Sequence, residues 1–232
     1  MITIPTGELV GTLSDVIPMA EADRELPEVN CIKLEWDGDT LHAIATDRYK
    51  AGWATWNPSD SAGETEWGGA DEPWSLTIGL DDAKHLVKTY KLPTKQHYTA
   101  LTIEHVHPGA VRVQRHKDTG HSAISTVIPD TFVAWPHVKE VLAAKDVLAP
   151  SDGFDVNPRH LAPFAKVRPA GPMVLRFTGP NSLIHVSIGA RFTGFVFPIL
   201  DAVRLGVPAR ERGFNVLRDG AGVLLSEPAD GD

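Results

Sequence analysis

The sequence predicts an α+β fold assembled from a repeated βαβββ unit, and three observations carry that reading. Three segments share one order of strand-like and helix-like runs, and looking for such self-similarity first decides how the rest of a chain is divided. Gly, Asp, Asn and Pro turn signals separate the runs at short intervals. The composition, 42% hydrophobic and 22% charged over 232 residues, is near that of ordinary globular domains, which argues against disorder or a coiled coil. At roughly 150 residues per domain the length suits one to two domains.

The first unit (1–56) opens with a β-prone run from Ile2 to Ile4. Pro5 and Thr6 then lead into a helix carrying Leu9, Leu13, Val16 and Ile17 at helical spacing. Strand-like runs follow at Cys31–Trp36, Thr40–Ala45 and Ala51–Trp56, with Asp37, Gly38 and Asp39 as a hairpin turn. A Gly-, Ser- and acid-rich crossover (57–73) leads to the second unit (74–130). Its strand Trp74–Ile78 precedes a helix over about Asp81–Lys91 with Ala83, Leu86, Val87 and Tyr90 on one side. Strands are then predicted at Ala100–His105, Ala110–Arg115 and Ser122–Val127, turned by Pro108 with Gly109 and by Asp118–Gly120.

The third unit (153–200) begins at Gly153–Val156. Asn157 is placed to cap a helix and Pro158 to begin it. Pro163 removes a backbone donor and clashes with the preceding turn, so that helix is short. Strands read Met173–Thr178, Ser182–Ile188 and Arg191–Phe197, divided by Gly179–Asn181 and by Gly189 with Ala190. The expected organisation is a two-unit domain (1–145), a shortened second domain (146–218) and a mobile acidic tail (219–232). Gly213–Leu217 and Gly222–Ser226 read as a hairpin, the candidate remnant of a fourth unit.

Cys31, the single cysteine, cannot form an internal disulfide, and it sits in a predicted strand as a core residue. The N-terminal stretch lacks a basic region followed by a long apolar run, and no segment approaches the ~20 apolar residues that span a bilayer. A cytoplasmic location without membrane attachment is expected. The net charge of −8 opposes indiscriminate attachment to nucleic acid over the whole surface, but the charge is unevenly spread. Residues 83–103 hold Lys84, Lys88, Lys91 and Lys95 and no acid. Residues 156–200 hold Arg159, Lys166, Arg168, Arg176 and Arg191, again with no acid, whereas 51–83 are acidic. On the second helix the lysines lie three to four apart, a stripe beside the apolar face. A solvated helix face is the plain reading of one such stripe; its recurrence in the same element of another unit favours phosphate contact without base readout.

The stretch DGDTLHAIATDRYKAGW, the run SAISTVIPDTFVAWPHVKEVL, and GFDVNPRHLAPFAKV followed by MVLRFTGPNSLIHVSI and FTGFVFPILDA occur in the same order and spacing as in the DNA sliding clamps. The chain resembles that family, the bacterial DNA polymerase III β clamp in particular, over about residues 2–203. The resemblance implies the DNA clamp fold, with antiparallel sheets outside and helices inside. It also implies sequence-independent encirclement of double-stranded DNA and recruitment of DNA polymerase and clamp loader through short peptide motifs, with no cofactor. Clamp rings use twelve units, as two chains of six or three chains of four, and three are visible here. A homo-oligomer is therefore expected, a quarter ring if three units are all, or a trimer of the short bacteriophage type, in the host cytoplasm, if a fourth survives in 204–232.

Carried onto this sequence, the resemblance assigns DNA contact to Arg24, Arg48, Lys84, Lys88, Lys91, Lys95, Arg159, Lys166 and Arg168. It assigns a partner-peptide pocket to Val29, Thr46, Tyr49, Lys50, Ala51, Pro136, Val141, Val196, Phe197, Pro198, Ile199 and Leu200. The first helix departs from a basic face, having Glu8 and Asp15; Ala51 replaces a larger aliphatic, and Asp201 stands where arginine is usual. His105 and His107 alternate on one strand with His116 and His121 nearby, which reads as a polar strand face before it reads as a metal site. No phosphate-binding loop, zinc-protease helix or nucleophile elbow occurs, and no enzyme is expected. The alternative function is a protein-interaction module that keeps the clamp fold without the ring and binds or competes for clamp-binding peptides.

Overall fold

The computed structural model describes residues 1–61, 67–69, 72–93, 99–106, 109–115, 124–131, 138, 156–168, 171–177 and 183–197. The first unit supplies β1 (Ile2–Pro5), α1 (Thr6–Val16), β2 (Cys31–Trp36), β3 (Leu41–Thr46) and β4 (Lys50–Trp56). The second supplies β5 (Trp74–Gly79), α2 (Leu80–Tyr90), β6 (Ala100–Val106), β7 (Ala110–Arg115) and β8 (Ile124–Pro129). In the third, α3 (Pro158–Leu161) tightens into a 3-10 turn (Ala162–Lys166) before β9 (Met173–Phe177), β10 (Ile184–Ile188) and β11 (Phe192–Val196). The elements follow the repeat, with β8 two residues later than the alternation suggests. The expected strand at 153–156 falls outside the described residues except for Val156, which is not in a strand. The expected domain boundary at 145, the turns at 118–120 and 179–181, the hairpin over 213–226 and the tail also lie outside them.

Every strand pair is antiparallel, and each of the first two units gives its leading strand to the other. β1 pairs with β6, in a four-stranded sheet of order β1-β6-β7-β8; β5 pairs with β2, in a seven-stranded sheet of order β5-β2-β3-β4-β11-β10-β9. The third unit joins through β4 and β11, the last strand of one unit against the last of another. α1 and α2 pack on each other, α1 against β3 and β4 and α2 against β5 and β2. Tyr90 anchors the end of α2 to the smaller sheet, its hydroxyl donating to the Val113 carbonyl at 2.6 Å.

The main core combines Leu9, Leu13 and Val16 of α1 and Leu86 and Tyr90 of α2 with the inner sheet faces, including Trp36, Trp56, Phe164 and Phe192. At the Asp37–Asp39 turn, Gly38 takes φ 104°, a left-handed conformation that a Cβ disfavours. The Asp37 carboxylate accepts from the backbone N–H of Thr40 at 2.8 Å and of Asp39 at 3.0 Å.

An unpaired sheet edge is a template for another strand, and two of the four outer edges are occupied locally. Thr3 and Gly68 exchange two backbone hydrogen bonds of 2.7 Å over the outer side of β1. Thr131 donates its N–H to the Thr77 carbonyl of β5 at 2.8 Å, and Thr77 returns one to the Asp130 carboxylate. Among the described residues no strand pairs with the outer edges of β8 and β9. Among the described residues, three of the four exposed large apolar side chains lie on those two strands: Val127 at 51%, Met173 at 38% and Val174 at 41%.

Candidate functional site

Two regions gather the residues singled out in the sequence. The first is the joint between the first and third units, built on the tight turn Thr46–Lys50. Thr46 Oγ1 donates to the Lys50 carbonyl at 2.8 Å, while Asp47 Oδ1 accepts from the N–H groups of Tyr49 and Lys50, each at 2.9 Å. Lys50 Nζ pairs with Asp47 Oδ2, both side chains nearly enclosed. The turn holds Arg48 at φ 79°, in left-handed backbone that costs a non-glycine residue about 1 kcal/mol or more. Across the joint the Phe197 N–H donates to the Tyr49 carbonyl at 2.9 Å, Val196 registers with Lys50, and Phe195 registers with Ala51. The His160 ring of α3 stacks on Tyr49 at 5.2 Å, and burial pushes its pKa down, opposed by Asp47 and assisted by Lys50.

Thr46, Tyr49, Lys50, Ala51, Val196 and Phe197 therefore meet at one place. They do not all face outward. Consecutive strand residues point to opposite faces, so Val196 enters the main core while Phe197 joins Ile44, Ala51, Trp53, Val138, Leu183 and Phe195 on the other side of the sheet. Lys50, Thr46 and Ala51 are buried, and Tyr49 and Phe197 remain half-exposed. Val29 is buried beside the turn: its carbonyl accepts from the Glu21 N–H, and the Glu21 carboxylate lies 3.9 Å from Arg48. Pro136, Val141, Pro198, Ile199 and Leu200 lie outside the described residues. The sequence reading passed over Phe195, whose ring meets Phe197 edge-on at 5.4 Å; the alternation Phe195, Phe197 was its available signal.

It also passed over His42, buried on the same sheet. The Trp53 indole N–H donates to its Nδ1 at 3.0 Å, so Nε2 carries the proton and donates to Asp37 at 2.8 Å. Burial alone would raise the Asp37 carboxyl, but this bond and those from Thr40 and Asp39 outweigh it and hold the group at about 2. The His42 ring thus ties the β2–β3 turn to β4. His105 stacks on Trp74 at 6.0 Å, and among the described residues no three His, Cys, Asp or Glu side chains gather as metal ligands would.

The second region is the helix face. Lys84, Lys88 and Lys91 are exposed along α2, while Ala83, Leu86 and Tyr90 are buried on its other side. Arg24 lies against this helix, pairing with Asp81 at 2.6 Å, and Lys84 stands 3.9 Å from the same carboxylate. Both groups of that closer pair are largely exposed, so water screens the attraction. Arg159 and Lys166 are exposed in α3 and the turn after it. Arg48 is placed otherwise, with a side chain only 12% exposed beside Glu21 at the joint. Lys95 lies outside the described residues.

The two acids that break the basic pattern of α1 have partners. Arg191 donates to Glu8 at 2.8 Å, and the Arg168 N–H donates to Asp15 at 2.7 Å with Nε at 3.7 Å from the same oxygen. Both arginines come from the third unit. Burial raises the Asp15 carboxyl to about 6, against the lowering influence of the Arg168 N–H and charge.

No family model and no curated protein matches the sequence. Solved structures do match. The chain is similar to the DNA polymerase III β subunit of Thermotoga maritima (TM-score 0.61, 15% identity, 86% of this chain and 65% of that one). It is similar to a DNA polymerase sliding clamp from Pseudomonas aeruginosa (0.63, 13%, 85% and 65%) and to one from Bacillus subtilis (0.59, 12%, 90% and 67%). The chain thus spans about two thirds of the length of these structures, and the likeness is one of fold.

Proposed function

We propose that this chain, which has the sliding-clamp fold in shortened form, works as a DNA polymerase processivity factor: an oligomeric ring around duplex DNA that tethers polymerase by a short peptide. The observation that carries this reading is the combination of a lysine-faced helix with two sheet edges, β8 and β9, that no described strand covers. Edges β8 and β9 expose apolar residues that a second copy would cover, continuing the sheets from chain to chain as β4 and β11 continue them within one. Lys84, Lys88 and Lys91, with Arg24, Arg159, Lys166 and Arg168, would attract phosphates without reading bases, which permits sliding. Polymerase and clamp loader would dock peptide motifs at the joint, where half-exposed Tyr49 and Phe197 flank the outer apolar cluster. The mechanism is topological and needs no cofactor.

Mass in solution, followed by imaging for a central hole, tests the ring. A chain that stays monomeric and monodisperse at high concentration rejects it and favours the interaction module. For DNA, the triple variant K84E/K88E/K91E should lose salt-sensitive duplex retention while keeping its circular dichroism spectrum, because these side chains lie off the apolar stripe. At the joint, a peptide with Leu and Phe anchors should bind with micromolar-scale affinity and lose that binding in Phe197→Ala.

A further inference from the structure

The two sheet edges left uncovered by described strands are not alike. β9 carries the exposed Arg176, and a charge of that kind blunts an edge against further pairing. β8 (ISTVIP) has no charged side chain. Arg112 of the adjoining β7, which faces Val127 in register, is engaged by Glu104 at 2.8 Å. The chain leaving β8 is drawn away from the edge, because Thr131 bonds to Thr77 of β5.

The register tells which backbone groups β8 turns outward. Ala110 stands opposite Pro129, so Gly109 stands opposite Asp130, and the Asp130 N–H donates to the Gly109 carbonyl at 2.8 Å. Hydrogen-bonded pairs alternate along an antiparallel ladder, so Ile128, Thr126 and Ile124 direct their N–H and C=O groups to β7, and Ser125, Val127 and Pro129 direct theirs away from it. Pro129, which lacks an N–H, thus sits where β7 needs no donor. Ser125 and Val127 each offer one donor and one acceptor at the outer edge.

Within the chain, β4 and β11 show how units join: each is the last strand of its unit, and they pair antiparallel. β8 is the last strand of the second unit, and among the described residues no other last strand remains for it. A second copy supplies one. We infer that β8 is a self-complementary docking strand through which two copies of this chain associate about a two-fold axis at Thr126. In that register Ser125 faces Val127 of the second copy, and every outward N–H and C=O of both residues is used. Moving the axis to Val127 sets Pro129 against Ser125 and leaves the Ser125 carbonyl without a donor. On the inner face, half-buried Ile124 meets Ile128 of the second copy, and Thr126, 3.2 Å from the Tyr90 hydroxyl, meets its own counterpart. The axis crosses the sheet, so α2 stays on the same side in both copies. The pairing rests on the reading of the chain as an oligomer joined at its sheet edges, and it specifies that like edge meets like. One pair of such edges is small beside the ~1,200–2,000 Å² of a standard interface, so association in the micromolar range is expected.

Thr126→Cys tests the axis in the intact chain, because the two residues form a non-hydrogen-bonded pair whose backbone separation suits a disulfide, while the native Cys31 is buried. Mild oxidation at high protein concentration should give a disulfide-linked dimer from this variant alone. Adding Val127→Pro, which removes an outward donor and takes none from β7, should weaken association about tenfold or more with the circular dichroism spectrum kept. Val127→Glu, which keeps Arg112 opposite it but brings two acids together across the axis, should do the same, and Val174→Glu on β9 should leave the cross-link unchanged. Cross-links that form only between Thr126→Cys chains and Val174→Cys chains overturn the two-fold and leave an oligomer joined head to tail. An oligomer with neither cross-link also overturns the two-fold alone. A monomer at the same concentration, with no cross-link, overturns both the two-fold and the oligomeric reading.

Discussion

Gly52 and Gly194 stand opposite each other in the register of β4 and β11, and the aromatic rings of Phe192 and Phe164 lie over them. The joint between the first and third units is therefore thinnest where its aromatic cover is thickest. Phe164 and Phe192 meet edge-on at 6.0 Å above the pair, within the main core.

Gly194→Ala should be among the more damaging small substitutions in the chain. The new Cβ would come within 2.5 Å of the Ala51 carbonyl oxygen and 2.7 Å of the Phe164 ring, and backbone cannot yield as a flexible side chain can. A loss of about 1–3 kcal/mol is expected, as for other overpacked cores, measured from denaturant midpoints. Gly52→Ala also meets Met19 at 2.8 Å, which can shift, but the Phe192 ring at 2.7 Å has less room; it should cost less than Gly194→Ala. Equal stability of both variants and the parent would contradict this description of the joint.

The ion pair between Arg191 and Glu8, at 2.8 Å, links the third unit to α1 and is about two thirds enclosed. Arg191 Nε also lies 3.3 Å from Asp60, so removing Glu8 leaves the arginine one acid. A double-mutant cycle of Glu8→Gln and Arg191→Gln should give a coupling of about 0.5–1.5 kcal/mol. A coupling indistinguishable from zero would mean that this ion pair does not help hold the units together and that the β4–β11 ladder and apolar packing do so without it.

Asp15 makes stability depend on pH. Its folded value, about 6, lies above the ordinary carboxylate value of 3.8, because burial disfavours the ionised form. The folded chain thus binds this proton more tightly than the unfolded chain. The contribution is fully present below pH ~4 and is lost as pH rises through about 6. Asp15→Asn keeps an acceptor for the Arg168 N–H and removes the titration. Stability of the variant relative to the parent should therefore improve by on the order of 2–3 kcal/mol between pH 4 and 7. A constant difference across thermal melts at those pH values would refute the assignment.

Cys31 is 1% exposed in β2, and burial pushes its thiol up to about 12, with the Glu28 charge adding to the effect. The thiolate is the reactive form. A disulfide reagent at pH 8 should leave the folded protein unmodified and label one thiol on denaturation. Rapid labelling of the native chain would show that β2 opens locally.

Local pattern carried much of this fold. The lysine stripe of α2, the Asp37–Asp39 turn and the short proline-limited helix after Asn157 follow from spacing and residue chemistry, and the structure contains each of them. The acids of α1 were illegible for the opposite reason. Glu8 and Asp15 look like solvated charges on a helix, and nothing nearby in sequence announces partners from residues 191 and 168. The alternation of Phe195 and Phe197 put both on one face, but which face meets a second apolar layer depends on the other side of the sheet, where Ile44 and Val138 lie.

What the sequence determined by itself is the order of elements in the first two units and, in the third, of the helix and the three strands after it, because helix and strand periods are properties of neighbouring residues and a turn is set by its own few side chains. Which strands pair across units was decided by the tertiary structure. The exchange of β1 and β5 between units, and the meeting of β4 with β11, depend on edges satisfying backbone groups far apart along the chain. Backbone N–H and C=O groups are the same in every strand, so pairing identity is written in the shape of the assembled core and the edges it leaves open.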